Sequence, residues 1–249
     1  MKTINLIFLG LALLVVVTAC ELEAPIPVEQ PPPEVVELQI TPAVEHWLPK
    51  VAVCAADIPN FGVSVQILPR AELSLSETDL ILRLGERLAT DPFVAVMGVE
   101  EIVIVAGSDV PVNSIRLSDL QGIYAGTITR WGEVSSVGDD ESGRGQPIMP
   151  LSYPEGHEVE ILFSRIYLDD NGILIDPQVF STTPFLEKLL DLYPYAIGYL
   201  LESQSPEGVR ILNVTPEDEI VSLQYVLAVT AEEPAGGLKQ LLLCLQNAQ

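Results

Sequence analysis

Residues 112–134 read VNSIRLSDLQGIYAGTITRWGEV. Within them Ser118-Asp119-Leu120-Gln121 has the spacing of a capping box and predicts a short helix starting there. Gly126 marks its end, because glycine tolerates the left-handed conformation helices commonly adopt just past their last turn. Ile128 and Trp131 follow, and Trp131 reads as a packing residue. Residues 101–106, just upstream, read as a strand. Residues 139–146, just downstream, are polar and glycine-containing and read as a loop.

Further upstream, Thr41-Pro42 offers a capping hydroxyl and a proline at the first helical position. Val44, Trp47 and Leu48 follow at helical spacing, and Pro49 predicts a kink or break. Residues 63–68 largely alternate apolar and polar, while 79–84 and 93–97 are short apolar runs with turn signals nearby. Downstream, Val159, Leu162, Phe163 and Ile166 share one helical face, and Asn171-Gly172 ends that segment. Pro184 opens another helix with an apolar face that includes Phe185, Leu189 and Leu192. Residues 196–200 and 223–229 read as strands, and Leu238, Leu241, Leu242 and Leu245 mark a terminal amphipathic helix. Strands and helices interspersed from 38 to 249 predict an α/β architecture with helices packed over sheets.

The N-terminal end has a different character. Lys2, an apolar run over 6–17 and small residues before Cys20 follow the order of a secretory signal. The run is shorter than the roughly 20 residues that span a bilayer, so 1–19 reads as a cleaved lipoprotein signal rather than an anchor helix. Similarity to bacterial lipoprotein signals implies that Cys20 becomes the lipidated first residue. Residues 20–37 carry Pro25, Pro27, Pro31, Pro32 and Pro33 and read as an extended tether. Twelve Lys and Arg against 35 Asp and Glu give a formal charge of −23, which disfavours nucleic acid and anionic membrane surfaces as partners. A small anion stays compatible, because local N–H groups and side chains decide its binding. Two readings stand for Cys54 and Cys244: a disulfide between the start of the domain and its last helix, or two separately buried thiols.

The 112–134 stretch resembles a segment of the phosphate-binding proteins of ABC importers and their relatives in the type II periplasmic-binding-protein superfamily. The residues that carry the resemblance are Leu117-Ser118-Asp119, Gly126, Ile128 and Trp131. Residues 101–111, Tyr195-Ala196-Ile197-Gly198-Tyr199 and 226–245 resemble other segments of that family in the same order. The resemblance implies two α/β lobes joined by crossover strands, with 38–104 and 201–249 in lobe 1 and 105–200 in lobe 2. It also implies a ligand in the cleft between them, phosphate or a related oxyanion, and a lipid-anchored extracytoplasmic protein that delivers it to an ABC permease. Thr41, Arg83, Ser152, Gly156 and His157 are the ligand-binding candidates.

One segment departs from the family pattern. In the phosphate-binding relatives an Arg precedes a Gly-Ser-Gly-Thr turn that wraps the anion. Here residues 150–163 read PLSYPEGHEVEILF, so Tyr153 stands in the Arg position, and His157, Glu158 and Val159 follow Gly156. A cation and two hydroxyls are lost and a carboxylate is gained. Glu155 and Glu158 would repel a phosphate if they faced the cleft, whereas on the solvent side they would complement a helix dipole. This departure motivates an alternative, a non-transport sensing or interaction lipoprotein on the same fold. An enzyme is not expected: the sequence has two histidines, His46 and His157, no nucleophile elbow, no His-Glu-x-x-His pair and no phosphate loop. No metal site and no cofactor is expected.

Overall fold

A computed structural model describes residues 32–138, 142–216 and 221–247. Cys20 and the tether before Pro32 lie outside the described residues. Residues from Pro33 onward form one compact unit. Its sheet begins with β1 (Glu34–Ile40), β2 (Phe61–Ile67) and β3 (Leu80–Leu84), with β1 central and parallel to both neighbours. β1 starts inside the segment expected to be tether, because Val36 and Leu38 alternate inward and are buried. A 3-10 turn (Pro42–Trp47) and α1 (Leu48–Ala56) connect β1 to β2, and Pro49 sits in the first turn of α1, where its missing N–H costs nothing.

β4 (Phe93–Ala106) joins the two halves of the sheet. The sequence predicts two strands here, separated around Gly98-Val99-Glu100, but the chain runs through as one strand of 14 residues. Its first part, to Glu101, pairs antiparallel with β10 (Leu223–Thr230), which in turn pairs with β3. From Ile102 onward the partner is β8 (Ala196–Leu201), and Ile104 to Ala106 also pair with β9 (Arg210–Thr215). Val226 faces Gly98 and Leu227 faces Val96, so Met97 is an extra residue on β4. Such a bulge bends its strand and raises the local twist.

The second half-sheet continues through β8 to β6 (Met149–Ser152) and β7 (Gln178–Val179), while β5 (Ser114–Arg116) pairs with β9. α2 (Leu117–Tyr124), α3 (Glu158–Tyr167) and α4 (Thr183–Leu192) belong to this half, and α5 (Gly236–Asn247) follows β10. α2 ends as predicted: Gly126 has φ +77°, and its N–H donates to the Ile123 carbonyl at 3.0 Å. The capping box does not form. The helix starts one residue early, and Asp119 instead accepts from the N–H and hydroxyl of Ser135 at 3.0 and 2.9 Å. Trp131 is fully buried, with Nε1 donating to the Tyr195 carbonyl at 3.0 Å.

On α4 the buried face is Leu186, Leu189 and Leu190, and the expected core residues Phe185 and Leu192 are exposed. The face turned inward is the one that packs against β8.

Cys54 on α1 and Cys244 on α5 are joined by a disulfide, with 5.7 Å between their Cα atoms and 190 positions between them in sequence. A link across so long a segment removes much of the unfolded chain's freedom. Replacing both cysteines with serine should lower unfolding free energy by about 2–4 kcal/mol. Urea unfolding with and without dithiothreitol checks this, since the wild type should weaken under reduction while the double variant stays unchanged.

Candidate functional site

β1, β2 and β3 are parallel, and ligands of open α/β sheets bind beyond the carboxyl ends of such strands. Three donors converge there. Thr41 follows β1, Arg70 lies shortly after β2, and the Leu84 N–H closes β3. All three point at one carboxylate, that of Glu158, the first residue of α3 from the other half-sheet. Thr41 Oγ1 donates to Glu158 Oε2 at 2.6 Å, the Leu84 N–H donates to the same oxygen at 3.0 Å, and Arg70 Nη1 donates to Oε1 at 2.7 Å. Thr41 and Glu158 are buried. Arg70 is also fixed by the Leu84 carbonyl at 2.9 Å.

Gly85 makes this approach possible. Its φ is +102°, and a side-chain carbon there would lie 3.3 Å from Arg70 Nη1 and 3.6 Å from Leu162 of α3. Glycine therefore serves both the turn after β3 and the close passage of the guanidinium.

α3 is aimed by the Pro154-Glu155-Gly156 turn, where Gly156 has φ +80° and the His157 N–H donates to the Pro154 carbonyl at 3.0 Å. His157 is the N-cap, its Nδ1 accepting from the Val159 N–H at 3.3 Å. Glu160 accepts from the Gly156 N–H at 3.2 Å. The His157 ring stacks on Tyr153, with centroids 4.3 Å apart and planes at 11°. Tyr153 also contacts Phe180 and Tyr199, and Tyr199 stacks on Phe163 at 3.7 Å. Burial pushes the Tyr153 and Tyr199 phenols up, so both stay neutral.

Of the residues named from sequence, the structure brings Thr41, Gly156 and His157 to the cleft and gives Arg83 and Ser152 other partners. Arg83 is buried but committed to Asp91 at 2.5 Å and to the Glu86 carbonyl at 2.9 Å. Its pKa is lowered, first by burial and then by the neighbouring Arg70 charge. Ser152 donates to the Tyr153 carbonyl at 2.8 Å and pairs with the Tyr199 hydroxyl at 2.7 Å, away from the three donors. Thr41 forms no side-chain cap, since its hydroxyl is spent on Glu158. Sequence reasoning missed Arg70. The available signal was a cation three residues beyond a strand end in a chain with only 12 of them.

A cavity of about 590 Å³ adjoins the cradle, walled by Pro42, His46, Tyr153, His157, Thr182 and Gln204. His46 crosses it. Its Nε2 lies 2.8 Å from Glu100 Oε1, and its Nδ1 lies 2.9 Å from Gln204 Nε2. Gln204 Nε2 is a donor, so Nδ1 accepts and Nε2 carries the proton toward Glu100. Burial raises the Glu100 pKa, but hydrogen bonds from His46, Ser203 and Trp47 outweigh it and hold the carboxyl below its ordinary value. Among the described residues no group of three or more His, Cys, Asp or Glu is arranged to hold a metal ion.

Burial lowers the His157 pKa to about 4 from an ordinary 6.5. Between those values the unfolded chain holds a proton on this histidine that the folded chain lacks, so stability rises with pH through that window and is lost as pH falls. Asn keeps the capping ability, so His157→Asn should remove about 2 kcal/mol of the stability difference between pH 7 and pH 4.5. Urea unfolding at the two pH values measures it. An unchanged difference would show that His157 is not held neutral.

The architecture matches solved structures at low sequence identity. A phosphate ABC transporter substrate-binding protein with bound phosphate from Clostridium perfringens gives a TM-score of 0.67 at 16% identity, over 85% of this chain and 93% of that one. An ABC-type phosphate transport receptor from Vibrio cholerae gives 0.66 at 13%, over 86% and 94%. The CcmR regulatory domain from Synechocystis PCC6803 in complex with 2-PG gives 0.57 at 14%, over 86% and 96%. No protein-family model matches the sequence, and no curated protein does. Binding proteins and regulatory domains share the two-lobed periplasmic-binding-protein type II fold, and that is the fold of this chain.

Proposed function

We propose that this chain is an extracytoplasmic solute-binding lipoprotein, tethered through lipid on Cys20, that holds a small oxyanion between its lobes and presents it to an ABC permease. One observation carries the reading. A hydroxyl, a guanidinium and a backbone N–H converge beyond the carboxyl ends of three parallel strands, a donor set suited to phosphate, sulfate or a carboxylate. The likeness to phosphate-binding proteins over more than nine-tenths of their length supports it. We place the lobe boundary in β4 at Glu101-Ile102, where its partner changes from β10 to β8; on this criterion 201–215 go with 105–200 rather than with lobe 1. The reading involves no catalysis.

A second reading, a sensing or interaction lipoprotein without transport, is favoured by the presence of Glu158 among the three donors. Isothermal titration of the mature protein with phosphate, sulfate, molybdate and tungstate separates the two. Heat from any of them with a Kd in the micromolar range, about −8 kcal/mol, is the result expected of a carrier. Absence of heat from all four would end the oxyanion-carrier reading in favour of the second.

A further inference from the structure

We propose that Glu158 is a resident surrogate ligand, its carboxylate occupying the oxyanion position of the cleft and competing with any external anion for Thr41, Arg70 and the Leu84 N–H. The inference deepens the binding-protein reading and rests on it only for the class of ligand.

The geometry has three parts. The donors all belong to the β1–β3 side, whereas the acceptor comes from α3 of the other half-sheet, so the carboxylate reaches across as a bound solute would. Both carboxylate oxygens are engaged, one by a hydroxyl and an N–H and the other by a guanidinium, at 2.6 to 3.0 Å. The group is 3% exposed, so its charge depends on those partners rather than on water. His157 and Tyr153 contribute no positive charge that could hold a further anion beside it, since the histidine is neutral above about pH 4. An attached competitor also has a local concentration in the millimolar range or above, which an external anion must overcome.

The consequence is conditional occupancy. With Glu158 seated, a free anion must displace it to reach the cradle. Shortening the side chain should leave the Thr41 hydroxyl and the Leu84 N–H without this acceptor and Arg70 without its counter-charge, and make the cradle an oxyanion site in its own right.

The test is chemical rescue of Glu158→Ala. Melting temperature is measured in 20 mM phosphate, sulfate or acetate against chloride at equal ionic strength. The variant should melt below wild type in chloride and gain about 5 °C more than wild type gains in at least one oxyanion. Adding Arg70→Gln to Glu158→Ala should abolish the recovery. If Glu158→Ala does not fold in chloride, its refolding yield from urea with and without phosphate is the readout, and the yield should rise with phosphate. Equal behaviour of the variant in oxyanion and chloride would overturn the proposal. So would tight phosphate binding by wild type that Glu158→Ala leaves unchanged. Rescue of the variant together with no heat from wild type would sustain the surrogate ligand and sink the oxyanion-carrier reading, so the two fail separately.

Discussion

A buried carboxylate held by three donors from the opposite half of the molecule is the interaction on which the arrangement of this protein turns. Removing one partner of a buried ion pair typically costs about 3–5 kcal/mol, because the remaining charge is left without water or counter-charge. Glu158 is paired with Arg70 at 2.7 Å, and Gly85 eases the close passage of the guanidinium. The position of α3 over the ends of β1 to β3 is therefore specified by charge matching as well as by the apolar packing of Val159, Leu162 and Phe163. Apolar contacts allow small slides at little cost, whereas a charge-assisted hydrogen bond is directional.

β4 supplies the continuous backbone beneath this contact. One strand pairs with β10 in its first part and with β8 and β9 in its second, so the two halves of the sheet share a covalent connection without a loop. The Met97 bulge bends the strand, and Glu100 then lies where His46 and Trp47 both donate to its carboxylate. His46 in turn meets Gln204, which follows β8. Two polar connections therefore cross the cleft, one through Glu158 and one through His46, with the cavity adjoining them. Opening of the kind seen in hinge proteins would have to break both.

The order of elements was legible in the sequence because periodicity and turn chemistry are local. Gly126 after α2, Pro42 in the turn after β1 and the leucines of α5 each act within a few residues of themselves. What was not legible depends on partners far along the chain. The strand runs on between 97 and 101 with Glu100 buried in it, and the partners that satisfy Glu100, His46 and Trp47, lie more than 50 positions away. The start of β1 was hidden by the prolines before it, although Val36 and Leu38 already alternate inward. The capping box at Ser118 does not form because the helix begins at Leu117, which puts Ser118 inside its first turn, and the Gln121 side chain donates to Asp169, 48 positions away.

The same distance rule explains the site. Thr41 was found because a hydroxyl at a helix start has a local signature, although the signature suggested a cap and the structure gives it a carboxylate. Arg83 was named from the resemblance, but Asp91 lies close enough to claim it. The departure at 150–163 was visible as a loss of cation and hydroxyls. Its meaning appears only when Tyr153, His157 and Glu158 are seen together. Tyr153 and His157 form a stacked, uncharged aromatic pair at the turn, and Glu158 brings a negative charge from within the chain. With the anion covalently attached, a second cation and extra hydroxyls at the turn have nothing left to neutralise. Their replacement by a stacked, uncharged pair then follows from electrostatics, because an unpaired cation held there would itself carry a desolvation cost.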